Sequence, residues 1–168
     1  MNKKLVFLYM TGSGLMLTGL YFYLNIKKQI PPDAPTNLPW RVARWWDKIK
    51  LYASKFNLDP YLVASVIEVE SGGNPDARNP KSTATGLMQV IYSTAQEMGV
   101  DPSLLTDPDW NLYAGCKYLR QQIDKYGGTF QGVYAYYSGS YPSATHPEGK
   151  DYAEKVLALY NKYMPVYA

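Results

Sequence analysis

Residues 5–26 run without a single charged side chain, bracketed by Lys3-Lys4 and Lys27-Lys28, and no other feature restricts the fold so strongly. At about 1.5 Å per residue, a helix of that length spans roughly 33 Å, enough to cross the hydrocarbon core of a bilayer. Tyr21, Phe22 and Tyr23 near its end suit the membrane interface. The stretch is longer than the apolar part of an ordinary signal peptide, and no small-x-small cleavage site follows it. An uncleaved anchor is therefore expected ahead of a cleaved signal. Lysines flank both ends and Arg41 and Arg44 add positive charge beyond them, so the positive-inside rule leaves the orientation open.

The run divides the chain into an anchor (residues 1–28), a proline-rich linker (residues 29–39) and a folded domain (residues 40–168). Consecutive prolines exclude helix, so the linker should be extended and stiff, holding the domain off the bilayer. About 130 residues can bury a single core, and a hydrophobic content of 46% argues against disorder. The net charge of +3 fits an anionic envelope surface without selecting one. With one cysteine, Cys116, and one histidine, His146, neither an intramolecular disulfide nor a zinc site of the usual kind is expected. No cofactor is implied. Cys116 reads as a buried thiol on a helix, and His146 as an exposed residue in a Ser/Thr/Pro-rich loop. No motif or basic patch points to nucleic acid.

Beyond the linker the patterning is helical almost throughout. Trp45, Ile49, Tyr52 and Phe56 mark a helix over residues 40–57. Asp59 and Pro60 open the next, which Ser71-Gly72-Gly73-Asn74-Pro75 stops. Residues 74–85 are a loop with room for a short strand pair. Ser93-Thr94-Ala95-Gln96 resembles a capping box, and further helices are expected over residues 108–126, 130–138 and 149–163. The class is predominantly α.

The second of these helices carries two glutamates with different fates. At 100° per residue Glu70 extends the stripe of Val63, Val66 and Ile67, whereas Glu68 falls on the side of Tyr61 and Ser65. Glu68 is expected to be solvated or structurally paired. Glu70 prolongs an apolar face and sits where helix carbonyls repel negative charge. Both effects disfavour the carboxylate and raise its pKa, as a general acid requires.

Glu70-Ser71, Asn74-Pro75 and Gly86-Leu87-Met88-Gln89, at this spacing, resemble the lytic transglycosylases of the soluble-lytic, goose-lysozyme-like group. Asn111 to Leu119 and the helix containing Tyr152 and Val156 extend the resemblance over roughly residues 47–163. It implies a lysozyme-like domain that cuts peptidoglycan glycan strands between N-acetylmuramic acid and N-acetylglucosamine. In that family one glutamate, here Glu70, protonates the glycosidic oxygen. It then takes the proton of the muramyl C6 hydroxyl, which closes a 1,6-anhydro ring. By the same resemblance Ser71 would position Glu70, Gln89 would bond a sugar or N-acetyl group, Met88 would wall the cleft, and Tyr136 would reach Glu70 or the substrate. Among the tyrosines, only Tyr136 and Tyr141 suggest stacking platforms for a sugar.

The sequence departs from the family at Tyr137, where an asparagine is usual, at Ser138-Gly139-Ser140, at Thr83 and at Ile91-Tyr92. A two-carboxylate glycosidase would need a second acid about 5–9.5 Å from the first, and the nearest in sequence, Asp76, reads as a solvent-facing turn. A hydrolytic muramidase on the same fold and a non-catalytic peptidoglycan-binding scaffold are the alternatives. The expected setting is a bacterial envelope or a viral membrane, alone or within a larger envelope-spanning or virion assembly.

Overall fold

The computed structural model describes Gly19 and residues 22–27 and 29–165. Of the expected membrane span, residues 5–26, only Gly19 and residues 22–26 are among these; among the described residues no helix is long and apolar enough to cross a membrane. Residues 31–39 are not an extended rod. They form two turns, closed by Ala34 N–H to the Pro31 carbonyl and Leu38 N–H to the Pro35 carbonyl. Leu38 is buried in the core, Asn37 donates to the Lys162 carbonyl, and Asp33 pairs with Lys50. Prolines fix the turns, and apolar burial of Leu38 draws the segment onto the domain.

The helix expected over residues 40–57 is broken. Trp40–Ala43 (α1) and Trp46–Lys55 (α2) are separated at Arg44 and Trp45, where Trp45 adopts φ −95°, ψ 4°. Its indole N–H donates to the Gly73 carbonyl at 3.0 Å, a tertiary bond that competes with helix continuation. Pro60–Ser71 (α3) begins as its sequence dictates, with the Asp59 carboxylate accepting the Tyr61 N–H and proline in the first turn. It ends at Gly72 in the left-handed conformation.

Two sequence expectations shrink in the next segment. The strand pair is reduced to two isolated antiparallel bridges, Arg78 with Thr85 and Thr85 with Val90. The short helix Tyr92–Glu97 (α4) has no side-chain cap; it starts two residues earlier than the capping box requires, with the Tyr92 N–H bonded to the Thr83 hydroxyl. A 3₁₀ turn at Pro102–Leu104 leads to Pro108–Tyr126 (α5), capped by Asp107 and closed by Gly127. Thr129–Ser138 (α6) and Gly149–Tyr163 (α7) complete the domain.

Helix α3 is the axis of the core. Leu62 to Ile67 are buried on every side, Ser65 included, whose hydroxyl donates to the Tyr61 carbonyl. The expected polar face of this helix is therefore enclosed, because α2 and α7 both pack against it. Glu68 is structurally paired, accepting from the Tyr163 hydroxyl. The bulk of the fold is thus predominantly helical, as expected, with α3 delivering its last turn to a cleft.

Candidate active site

That last turn carries Glu70. Its Oε1 accepts a 2.6 Å hydrogen bond from the Tyr152 hydroxyl, which α7 delivers from a buried position. Burial raises the Glu70 pKa from its ordinary 4.5 to about 7, while the Tyr152 hydroxyl and the Lys155 charge pull the other way. Desolvation wins because two favourable contacts do not replace the water lost by the carboxylate. Tyr152 and Tyr136 are pushed well above the usual phenol range, first by burial and then by the charge of Glu70. Both stay protonated as hydrogen-bond donors.

The loop facing Glu70, residues 86–89, is fixed by one buried amide. Asn111 accepts the Met88 N–H at 2.8 Å and donates to the Thr85 and Leu105 carbonyls, each at 2.8 Å. Gly86 has φ +82°, and a Cβ there would lie 2.2 Å from the Asn111 amide nitrogen. Only glycine allows this approach. The same loop forces Gln89 to φ +46°, a conformation uncommon outside glycine.

A cavity of about 450 Å³ opens over these residues, with Glu70, Gln89, Tyr118, Tyr136, Tyr137 and His146 among its lining. Glu70 is the one carboxylate among the described residues that line it. Asp76 is exposed, with its N–H bonded to the Asn74 side chain, and does not line the cavity.

The sequence-predicted residues divide. Gln89 lines the cavity, with its amide nitrogen bonded to the Ala77 and Gly86 carbonyls at 3.1 and 3.0 Å; its amide oxygen is the group left to bond a ligand. Ser71 does not touch Glu70 with its hydroxyl. It donates to the Leu87 carbonyl at 2.7 Å and accepts the Gly73 N–H at 3.2 Å, so it ties the end of α3 to the facing loop. Met88 does not wall the cleft: it is fully buried, against Gly115 and 3.9 Å from the Cys116 sulfur. Tyr136 lines the cavity, but its hydroxyl donates to the Met88 carbonyl at 2.7 Å. Tyr141 packs edge-on against Tyr126, Phe130 and Tyr134 rather than lining the cavity.

Three further residues at the site, Tyr152 on Glu70 and Tyr137 and His146 in the cavity lining, had no site role in the sequence. Tyr152 was expected within the last helix and as part of the resemblance, with no role at Glu70, because its bond to that residue bridges 82 positions. Tyr137 lines the cavity and stacks on Tyr152, their centroids 4.9 Å apart. His146 is exposed as expected and also lines the cavity, on a loop held by the Ser143 hydroxyl. Their separation along the chain gave no local signal.

Residues 47–156 match the family described as the transglycosylase SLT domain. A transglycosylase of Enterobacteria phage PRD1 is 36% identical over 118 residues, covering 70% of this chain and 43% of that protein. The membrane-bound lytic murein transglycosylase E of Buchnera aphidicola is 33% identical over 118 residues, covering 62% of this chain and 52% of that protein. The chain thus spans about half or less of the length of these relatives. The crystal structure of the 70 kDa soluble lytic transglycosylase from Escherichia coli superposes with a TM-score of 0.64 over 89% of this chain and 27% of that one, at 21% identity, a likeness of fold. On the strength of the sequence match, which takes in both the helix bearing Glu70 and the loop facing it, this chain belongs to the transglycosylase SLT domain family.

Proposed function

We propose that this chain is a peptidoglycan lytic transglycosylase that cleaves the β-1,4 bond between N-acetylmuramic acid and N-acetylglucosamine and leaves 1,6-anhydromuramyl ends. The observation that carries the proposal is Glu70, a cavity-lining carboxyl whose pKa stands at about 7. A group with that pKa can give a proton and take one back near neutral pH.

Tyr152 bonds Oε1, so Oε2 is the oxygen that carries the proton to the glycosidic oxygen. As the bond to C1 breaks, the Tyr152 hydroxyl steadies the carboxylate left behind. That carboxylate then accepts the proton of the muramyl C6 hydroxyl as its oxygen closes on C1. The proton returns to Glu70, and no water is consumed. Glu70 being alone among the described lining carboxylates favours this course over one with a carboxylate nucleophile. Gln89 contributes its amide oxygen to a substrate N–H or hydroxyl. Ser71 acts as a positioning residue through the backbone of Leu87. Tyr136 holds the loop at Met88.

In this reading residues 1–28 anchor the protein, residues 29–39 connect, and residues 40–168 form the catalytic domain. The domain faces the periplasm or cell wall, or projects from a viral membrane. The uncharged run of residues 5–26 supports the anchor, and the phage relative supports a viral setting.

Mass spectrometry of sacculi digested by the wild type tests the chemistry. Anhydromuramyl ends, each one water lighter than a reducing end, are expected, and Glu70→Gln should release none. Reducing ends in their place would establish a muramidase, and glycan binding without cleavage by either protein would establish a scaffold.

A further inference from the structure

Tyr136 and Tyr137 are adjacent on α6, so they leave the helix about 100° apart. Tyr136 is buried and its hydroxyl is held by Met88. Tyr137 turns the other way and is 47% exposed while lining the cavity. Its ring lies on that of Tyr152 with an interplanar angle of 27°. One face of Tyr137 is therefore covered by Tyr152, and the surface left open is its second face and edge. Tyr152 in turn holds Glu70. The open ring is thus one side chain removed from the residue that holds the proposed acid.

Its surroundings set the ligand. Polar residues, Asn79, Ser82, Gln89 and His146, share the cavity with this ring. A flat apolar face amid hydrogen-bonding groups complements a pyranose ring, whose C–H face is apolar and whose rim carries hydroxyl and N-acetyl groups. We infer that Tyr137 is a substrate-contacting residue that stacks on one sugar ring of the glycan strand, a subsite built by the Tyr137–Tyr152 pair. The inference rests on the glycan-cutting reading of Glu70.

The test measures binding apart from cleavage. The full chain carrying Glu70→Gln is titrated calorimetrically with a peptide-free tetrasaccharide of alternating N-acetylglucosamine and N-acetylmuramic acid. Adding Tyr137→Phe should leave the affinity within about twofold. Tyr137→Leu, which keeps apolar bulk without a π face, and Tyr137→Asn should each weaken binding by about 3–10-fold. Tyr137→Trp, with a larger face, should bind at least as tightly as Tyr137→Phe. A leucine variant equal to the parent, or a tryptophan variant no better than leucine, would overturn the subsite even if the wild type cuts sacculi. No binding by the parent together with no product from the wild type would sink both the subsite and the proposed function.

Discussion

Ionising Glu70 should cost the fold stability, and the cost should vanish on replacing one side chain. In the unfolded chain the carboxyl titrates near its ordinary 4.5, whereas burial moves it to about 7 in the folded protein. The folded state therefore holds this proton more tightly. Stability from this group is complete below about pH 4.5, declines as pH rises through about 7, and is gone above it. The shift corresponds to a loss of about 3 kcal/mol between the two limits. For a domain of this size that moves the melting temperature by roughly 10 °C. Glu70→Gln keeps the shape and the bond to Tyr152 but cannot ionise. Urea denaturation of both proteins from pH 4 to pH 8.5 isolates the effect, since every other titrating group is shared. The variant should gain on the wild type as pH rises, and be the more stable protein above pH 7.5. Parallel curves across the whole range would refute the claim that burial holds this carboxyl protonated.

Other perturbations probe the parts around it. Tyr152→Phe removes a donor that favours the ionised form of Glu70, so the alkaline limb of kcat/KM on sacculi should move to higher pH; a downward move would contradict the assigned hydrogen bond. Asn111→Ala strips three hydrogen bonds from the buried end of the facing loop and should destabilise the protein by about 3 kcal/mol in denaturant titrations. Gly72 and Gly73 both have positive φ, yet a Cβ at Gly72 meets nothing while one at Gly73 would lie 2.3 Å from the Arg41 carbonyl. Gly72→Ala should therefore cost about 1 kcal/mol and Gly73→Ala at least about 3 kcal/mol; equal costs would argue against the close packing of α1 on the end of α3.

Where the chain announces itself locally, the sequence and the fold agree. Asp107 and Gly127 bound α5 as their chemistry dictates, and α7 runs over the expected residues 149–163. The burial of Glu70 was legible because it prolongs a local stripe. What was not legible depends on groups far apart in the chain. Trp45 interrupts a good helical pattern because its indole finds the Gly73 carbonyl. Ser71 serves Leu87 rather than Glu70 for a similar reason: the facing loop brings a free carbonyl within 2.7 Å. Met88 is drawn into the core by the notch that Gly115 leaves, so the motif residue supports the cleft from beneath. The linker prolines correctly excluded helix, but Leu38 had an apolar surface to bury, and that outweighed extension.

The most direct measurement is the titration of one carboxyl group. With glutamate side chains labelled at the carboxyl carbon, the NMR signal missing from Glu70→Gln identifies Glu70, and its shift against pH gives the pKa. A midpoint near 7 is the result expected for a group that both donates and recovers a proton at neutral pH. A midpoint near 4.5 would mean an ordinary ionised carboxylate in the cleft, and the proposed chemistry would lose its acid.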